Sequence, residues 1–271
     1  DVAAFVEHTK RAVSVGQDQI VELRRDSVKV STFQGEPVEL EEFEVSWDAT
    51  SASKGGWPSF MAKEIADQPQ AVGDTLMGRL DSDGRVKLDE FAGLEKLAEV
   101  NRIIITACGT AAYAGEVAKY AIEKWAKIPV SVELAHEFRY RDPIIDANTL
   151  ILAISQSGET MDTLMAVRYA KERGAKVLSI CNTQGATLAR ESDATIYTHA
   201  GPEVAVASTK AFTAQITAGL LVALSLSWLR KAMPEAELKG LGKELLKLPR
   251  QVKKVLDSVG HMRDLGKAFS N

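Results

Sequence analysis

One stretch constrains the fold more than any other. An apolar run, Thr149–Ile154, passes directly into the polar segment Ser155-Gln156-Ser157-Gly158-Glu159-Thr160, and apolar residues then recur at the i, i+3, i+4 spacing of a helix. The pattern predicts a buried strand, a tight loop and a helix N-terminus. The free N–H groups and positive dipole end of such a terminus favour an anion, and a glycine lets the backbone approach it. The stretch therefore predicts a phosphate-binding loop, with the hydroxyls of Ser155, Ser157 and Thr160 as further donors.

The same residue types also have a purely structural use. Thr160 could cap the helix, with Ser155 and Ser157 as ordinary loop residues. Taken alone, the S-x-S-G-x-T pattern is equally compatible with the cap and with the phosphate loop, so both interpretations stay open at this point.

The surrounding residues alternate between strand and helix. Strands are predicted at 102–107, 129–134, 149–154, 176–181 and 194–198, and helices at 110–127, 160–173 and from about 209. This alternation predicts an α/β fold, a three-layer parallel sheet covered by helices on both faces. Ligands of such sheets bind at the carboxyl ends of the strands. The loops 108–110, 155–160 and 199–210 share that edge, which favours the phosphate interpretation.

Other elements flank the alternating region. The residues before it predict a helix over 1 to about 12 and short strands at 19–23, 27–33 and 42–47, too few for an independent domain. Residues 57–80 are helical in pattern, and we expect Pro69 to end one helix and start another. A charged amphipathic helix is predicted over 235–259.

Composition and charge exclude several classes of function. The net charge of −4 gives no electrostatic reason for a nucleic-acid partner. The uncharged run 211–229 is long enough to span a bilayer, but its Thr, Gln and Ser residues predict a helix buried in the protein and no membrane span. Cys108 and Cys181 lie in apolar, strand-like runs, so we expect buried thiols in a reducing cytoplasm.

The chain lacks the usual cofactor motifs. Neither G-x-G-x-x-G nor G-x-x-x-x-G-K-[ST] occurs, and the four histidines are scattered without metal-ligand spacing. We therefore predict no cofactor and no metal site. Lys210 could be an amine nucleophile, an anion partner or a solvated lysine. The charged and aromatic run 136–143 could be a subunit contact or a solvated loop.

Several segments carry a family resemblance. Residues 108–110, 137–141, 155–164, 180–182, 190–193 and 206–213 carry, in this order, CGT, EFRYR, SQSGETMDTL, ICN, RESD and VASTKAFT, and 60–69 carry FMAKEIADQP. Together they closely resemble the glucosamine-6-phosphate synthases, the isomerising glutamine:fructose-6-phosphate aminotransferases. The resemblance implies four segments: the tail of a glutaminase domain (1–54), a helical entry (55–91), a first sugar isomerase (SIS) domain of flavodoxin-like fold (92–231) and a helical connection toward a second SIS domain (232–271).

The resemblance also implies a ligand, fructose 6-phosphate or glucosamine 6-phosphate. The implied phosphate contacts are Ser155, Gln156, Ser157 and Thr160, in the loop with Gly158. Cys108, Gly109 and Thr110 would meet the sugar, and Val206 and Ala207 would line the pocket. Ala111 stands where many members have serine, which removes one expected hydroxyl contact.

The departures from the family concern catalysis. The family's glutaminase nucleophile is an N-terminal cysteine, whereas the first residue here is Asp1, and no segment matches the isomerase catalytic groups of the second SIS domain. We therefore expect no catalytic residue in these 271 residues. The parent enzyme would be an aminotransferase of the cytoplasm that acts as a homodimer, and the chain alone would bind sugar phosphate without turnover. The alternative hypothesis is a non-catalytic SIS sensor or regulator that binds a phosphosugar.

Overall fold

The computed structural model describes residues 5, 8–16, 18–40, 42–45, 53–87, 89–92 and 94–270. The chain divides into two compact units, residues 1–53 and residues 54–271.

Two antiparallel pairs of short strands form the described part of the first unit. β1 (Arg11–Val13) pairs with β4 (Glu42–Glu44), and β2 (Gln19–Leu23) pairs with β3 (Val28–Thr32). This confirms the predicted β-rich segment, although the last two residues of the third predicted strand lie outside the described residues.

The prediction of an N-terminal helix over residues 1 to about 12 is wrong for its last residues. Arg11 and Ala12 belong to β1, and most of residues 1–10 lies outside the description or in turns. The pairing with β4 explains the difference. Arg11 lies in register opposite Glu44, and its guanidinium contacts the Glu42 carboxylate at 2.5 Å, contacts that no local pattern could reveal.

A five-stranded parallel sheet organises the second unit. Its strands are β5 (Arg102–Ala107), β6 (Val130–Leu134), β7 (Thr149–Ser155), β8 (Lys176–Cys181) and β9 (Ala194–Tyr197). They lie in the order β6-β5-β7-β8-β9, and every pairing is parallel. The predicted parallel α/β sheet is confirmed.

Among the described residues, nine helices and two short 3-10 turns accompany the strands. The helices are α1 (Phe60–Leu76), α2 (Thr110–Ala126), α3 (Ala135–Phe138), α4 (Met161–Glu172), α5 (Thr187–Glu191), α6 (Lys210–Arg230), α7 (Glu235–Leu245), α8 (Leu248–Ser258) and α9 (Met262–Ala268). The 3-10 turns are Asp89–Phe91 and Glu95–Glu99. The single helix predicted over 235–259 is two helices, and the proline in the first turn of α8 marks the break because proline fits a helix start.

The strand residues alternate between two apolar cores. In β7, Leu150, Leu152 and Ile154 belong to the core that also holds residues of α2 and α6. Ile151 and Ala153 belong to the opposite core, with residues of α3 and α4. Side chains of a strand point alternately to its two faces, and both faces are covered here. This arrangement explains why β7 reads as an unbroken apolar run.

Pro69 does not divide the helix that contains it. α1 continues from Phe60 to Leu76, contrary to the prediction. Pro69 has no N–H to donate to the carbonyl of Ile65, four residues earlier. The side-chain amide of Gln68 donates to that same carbonyl at 3.0 Å, which compensates for the missing bond.

The long apolar helix α6 lies inside the second unit. Its length and composition would suit a membrane span, but two thirds of its apolar window is buried against the rest of the protein. The residues buried along it include Gln215, Thr217 and Ser227. The prediction of a buried core helix is confirmed.

Candidate functional site

The candidate site lies where the strand order reverses. From β5 the chain crosses to β6 on one side and then to β7 on the other, so β5 and β7 are neighbours whose connections leave in opposite directions. Ala107, the last residue of β5, lies in register with Ile154 of β7. The loops that follow, Cys108–Thr110 and Ser155–Thr160, are therefore brought side by side. In this kind of sheet the reversal point opens a crevice at the carboxyl edge.

A cavity of about 250 Å³ occupies this crevice. Its described lining is Cys108, Thr110, Ala111, Ile154, Ser155, Gln156, Ser157, Thr160, Glu203, Ala205, Val206, Ser208 and Gln215. Seven of the ten predicted site residues are among them. Gly109, Gly158 and Ala207 are not, although each lies next to a residue that is.

Thr160 does not cap α4 with its side chain. It occupies the N-cap position, but its hydroxyl makes no capping hydrogen bond. Its Oγ1 lies 3.3 Å from the Oγ of Ser155 instead. The first hydrogen bond of the helix runs from the N–H of Leu164 to the carbonyl of Thr160 at 3.0 Å. The N–H groups of the first turn therefore precede the helical ladder, the arrangement that suits an anion.

The two serine hydroxyls of the loop act as acceptors within it. Ser155 Oγ accepts the N–H of Gly158 at 3.0 Å, and Ser157 Oγ accepts the N–H of Glu159 at 3.2 Å. A hydroxyl has one hydrogen and two lone pairs, so neither bond uses the hydroxyl hydrogen. These bonds hold the oxygens in place without using their hydroxyl hydrogens, and one of the Ser155 and Thr160 hydroxyls donates to the other.

Gly158 is required by packing on the side away from the cavity. Its φ is +68°, and an added Cβ would lie 2.5 Å from the Cβ of Ala186 and 2.7 Å from the Sγ of Cys181. The glycine thus lets the loop pack against the segment after β8. It shapes this loop without lining the cavity.

Glu64 and Asn182 fasten the loop after β9 to the rest of the site. The amide of Asn182 donates to the carbonyl of Gly201 at 2.8 Å, and its oxygen accepts the N–H of Ala200 at 2.8 Å. The carboxylate of Glu64, on α1 and 1% exposed, accepts the N–H groups of Val204 at 2.6 Å and Ala205 at 3.2 Å. These bonds place the following residues, up to the fully exposed Val206, at the rim of the cavity.

Glu203 lines the cavity, and its carboxylate accepts hydrogen bonds from the residues at the start of α6. Its Oε1 accepts the N–H groups of Thr209 at 2.8 Å and Ala211 at 3.1 Å, and its Oε2 accepts the hydroxyl of Ser208 at 3.0 Å. A carboxylate at a helix N-terminus is stabilised by the free N–H groups and by the helix dipole. Glu203 therefore acts as the cap of α6, a role that its position before the helix could have signalled.

Gln215 is a cavity residue that sequence reasoning missed. It lies one turn into α6, is 3% exposed and lines the cavity, and its Oε1 has no hydrogen-bond partner among the described residues. A buried acceptor without a donor costs about 1–3 kcal/mol. A ligand hydroxyl would satisfy it. The signal in the sequence was a lone amide within an otherwise apolar helix.

Lys210 lies outside the cavity lining and is not solvated. It is 3% exposed, and its Nζ lies 3.3 Å from Oδ2 of Asp67 on α1. The interpretation as a solvated lysine is wrong, because the ammonium group is buried against a carboxylate. This ion pair joins the first turn of α6 to α1.

The two thiols differ in their surroundings. Cys181 is fully buried, and burial raises the pKa of its thiol to about 12. Cys108 is partly exposed and lines the cavity. Both are free cysteines, as predicted, but the expectation that both are buried is wrong for Cys108, because it lies at the cavity.

The groups that the cavity offers to an anion are dipoles and not cationic side chains. No lysine or arginine occurs among the described lining residues, and the carboxylate of Glu203 is already committed to α6. An anion here would be held by hydroxyls, by N–H groups of α4 and by the helix dipole, and these interactions are directional. The arrangement suits a small ligand that carries both a phosphate and hydroxyl groups.

Comparison with known protein families identifies the class of domain that the chain contains. Residues 96–225 match the family model of the SIS domain. This range contains the whole parallel sheet, both loops of the reversal point and most of α6. The chain therefore contains a SIS domain.

Particular relatives are named more narrowly. The chain is 60% identical over 260 residues to a glutamine–fructose-6-phosphate aminotransferase (isomerising) of Leifsonia xyli, with 95% of the chain covered, and 55% identical over its whole length to the one of Streptomyces coelicolor. It spans 42% and 44% of the lengths of these two relatives. Among solved structures, the C-terminal domain of the glucosamine-fructose-6-phosphate aminotransferase from Francisella tularensis matches with a TM-score of 0.76 and 39% identity, over 81% of this chain and 61% of that one. The predicted resemblance is confirmed: along nearly all of its length, the chain is similar to part of these aminotransferases.

Proposed function

We propose that this chain is the sugar-phosphate-binding part of an aminotransferase that makes glucosamine 6-phosphate from fructose 6-phosphate and glutamine. The observation that carries the proposal is the cavity at the strand reversal, with its fixed hydroxyls and the open N-terminus of α4. The names of the relatives supply the substrate, because a cavity of this kind would accept many phosphosugars.

In this proposal the phosphate lies on the loop after β7. Ser155, Ser157 and Thr160 donate their hydroxyl hydrogens, and N–H groups of α4 donate along the helix axis. Gln156 contributes its amide from the same loop. Gly158 lets the loop pack closely against Ala186, because the backbone has a positive φ there and leaves no space for a Cβ.

The sugar would then occupy the rest of the cavity. Thr110, at the start of α2, and the Cys108–Gly109 segment would contact its hydroxyls from the β5 side. Gln215 would accept a hydroxyl hydrogen through its Oε1, which has no other described partner. Val206 and Ala207 would cover the opposite rim, at the end of the loop that Glu64 fastens.

These residues bind and orient, and we assign no bond-making step to them. The polar groups of the described lining are mainly hydroxyls and amides, and its carboxylate is held by four donors at the start of α6. A general base must be free to take a proton from the substrate. The chain's contribution to turnover is therefore the placement of the substrate.

The competing hypothesis is a non-catalytic phosphosugar sensor with the same domain. The relatives at 55–60% identity are named as aminotransferases, and they match this chain along nearly all of its length, including the β-rich segment before the SIS domain. That extended match favours the aminotransferase. Glutamine-dependent formation of glucosamine 6-phosphate by the full-length protein would separate the two, because a sensor would form none.

Calorimetric titration tests the binding site itself. We expect fructose 6-phosphate to bind and fructose to bind far more weakly, because the phosphate makes the charge-assisted hydrogen bonds. Ser157→Ala removes one donor to a charged group, which costs about 1.5–3 kcal/mol, or about 10- to 150-fold in affinity. Ser131→Ala is the matched control, since this serine lies on β6 and does not line the cavity. Equal affinity of the Ser157→Ala protein and the wild type would reject the phosphate loop.

The assignment brings further proposals with it. Residues 1–54 would be the tail of a glutamine amidotransferase domain, 55–91 the entry to the isomerase part, 92–231 the first SIS domain and 232–271 the connection to a second. The protein would be a cytoplasmic homodimer. The two free cysteines are consistent with a reducing compartment. Sedimentation of the full-length protein would test the dimer.

A further inference from the structure

Three potential metal ligands from separate segments meet beside the cavity. They are Cys108, His136 and Asp162, and one ligand atom of each, the Sγ, a ring nitrogen and a carboxylate oxygen, lies within 4.8 Å of the other two. Cys108 follows β5, His136 lies in α3 directly after β6, and Asp162 lies in the first turn of α4. The sequence predicted no metal because it has no local ligand spacing. The three residues become neighbours only because β6, β5 and β7 are adjacent in the sheet.

The donor set indicates a particular kind of ion. A thiolate, an imidazole and a carboxylate are the ligands that Zn²⁺ and similar divalent transition metals accept, whereas Mg²⁺ and Ca²⁺ prefer oxygen ligands only. Three protein ligands leave one position of a tetrahedral ion open. Metal–ligand bonds of about 2.0–2.3 Å place ligand atoms roughly 3–4 Å apart. Atoms already within 4.8 Å of one another need only small side-chain rotations to reach that geometry.

The supporting elements hold two of the ligands in place. Cys108 and Asp162 lie at the ends of elements that are packed into the sheet, and the hydroxyl of the buried Thr163 donates to the Sγ of Cys108 at 4.0 Å. His136 is exposed, so its ring is free to turn toward an ion. Each residue taken alone also has an ordinary structural explanation. Asp162, for example, is an acidic residue in the first turn of a helix, where the helix dipole favours it. Those roles do not account for the meeting of three different ligand types at one point.

We propose that Cys108, His136 and Asp162 bind one divalent transition-metal ion of the Zn²⁺ class. The open fourth position takes water. On binding, the Cys108 thiol loses its proton to the solvent and its sulfur forms the bond to the metal, so affinity falls as the pH is lowered. Cys108 also lines the cavity, so the ion lies at the cavity's edge. The proposal concerns metal binding alone and holds whether or not the cavity binds a sugar phosphate.

The test is a titration of the untagged 271-residue chain with Co²⁺ and Zn²⁺, without any sugar. We expect one Co²⁺ per chain, with the visible bands of a tetrahedral ion and a thiolate-to-cobalt charge-transfer band. Cys108→Ser should remove the charge-transfer band. His136→Gln and Asp162→Asn should each weaken Zn²⁺ binding by at least about 10- to 100-fold. That is the loss typically seen when a group that only hydrogen-bonds to a metal ligand is removed. His261→Gln is the matched control, because His261 is exposed and belongs to no such cluster among the described residues.

Alkylation with iodoacetamide gives a second measurement on the same protein. The thiolate is the reactive form, and Cys181 is buried with a pKa of about 12, so the reaction reports on Cys108. We expect Zn²⁺ to slow the alkylation at least about tenfold in the wild type and not in the folded His136→Gln variant. Equal protection in both proteins, equal Zn²⁺ affinity of all variants, or Mg²⁺ binding as tight as Zn²⁺ binding would overturn the proposal.

Discussion

Replacement of Thr160 by alanine separates the two roles that its position allows. A threonine at the start of a helix usually caps it, and loss of such a cap costs about 0.5–2 kcal/mol of stability. Here the hydroxyl makes no cap bond and lies near Ser155 Oγ at the cavity. We therefore expect Thr160→Ala to change the free energy of unfolding by less than about 0.5 kcal/mol. Its affinity for fructose 6-phosphate should fall by about 10- to 150-fold, for a lost donor worth about 1.5–3 kcal/mol.

Urea unfolding and calorimetric titration measure the two quantities on the same preparation. Thr160→Ser keeps the hydroxyl and should keep the affinity. Ser59→Ala is the control for a true cap, since Ser59 Oγ accepts the N–H of Ala62 at 3.1 Å at the start of α1. That variant should lose stability and keep the affinity. The reasoning is refuted if Thr160→Ala shows the stability loss of a cap with unchanged binding.

Three further perturbations follow from the geometry. Gly158→Ala should destabilise the protein by about 2–4 kcal/mol in urea unfolding, because its Cβ would meet Ala186 and Cys181 at a positive φ; a loss under 1 kcal/mol would contradict this. Gln215→Leu removes a buried acceptor without a partner, so stability should be kept or raised while sugar-phosphate affinity falls, and unchanged affinity would argue against the sugar contact. Partial burial, and then the charge of a nearby arginine, lowers the pKa of His199, so the unfolded state takes up the proton first and stability should fall as the pH drops below about 6.5. His199→Asn should reduce that fall in pH-dependent thermal unfolding, and an identical pH profile would exclude the histidine as its source.

The predictable part of the site is local in the sequence. The hydroxyls and the glycine of the segment after β7 stand immediately between a strand and a helix, so their pattern indicated both elements and the loop between them. Seven of the ten predicted residues line one cavity. The remaining parts depended on distant partners. Glu64 holds the N–H of Val204 at a separation of 140 residues, and no spacing rule connects two such positions. Pro69 was misjudged because the compensating amide of Gln68 is a side-chain contact that a helix-breaking rule ignores.

By itself, the sequence determined the elements and their class. Residues 150–154 of β7 are all apolar because both faces of the strand are buried, and this local pattern implies a sheet covered by helices on both sides. Only the tertiary structure decided which loops meet. The order β6-β5-β7-β8-β9 is a set of pairings between residues far apart in the chain, and it brings Thr110 to Ser155, Gln215 to the same cavity and Cys108 to His136 and Asp162. A strand is indicated by the pattern of its own residues, whereas a site is made by the side chains that strand order and packing bring together.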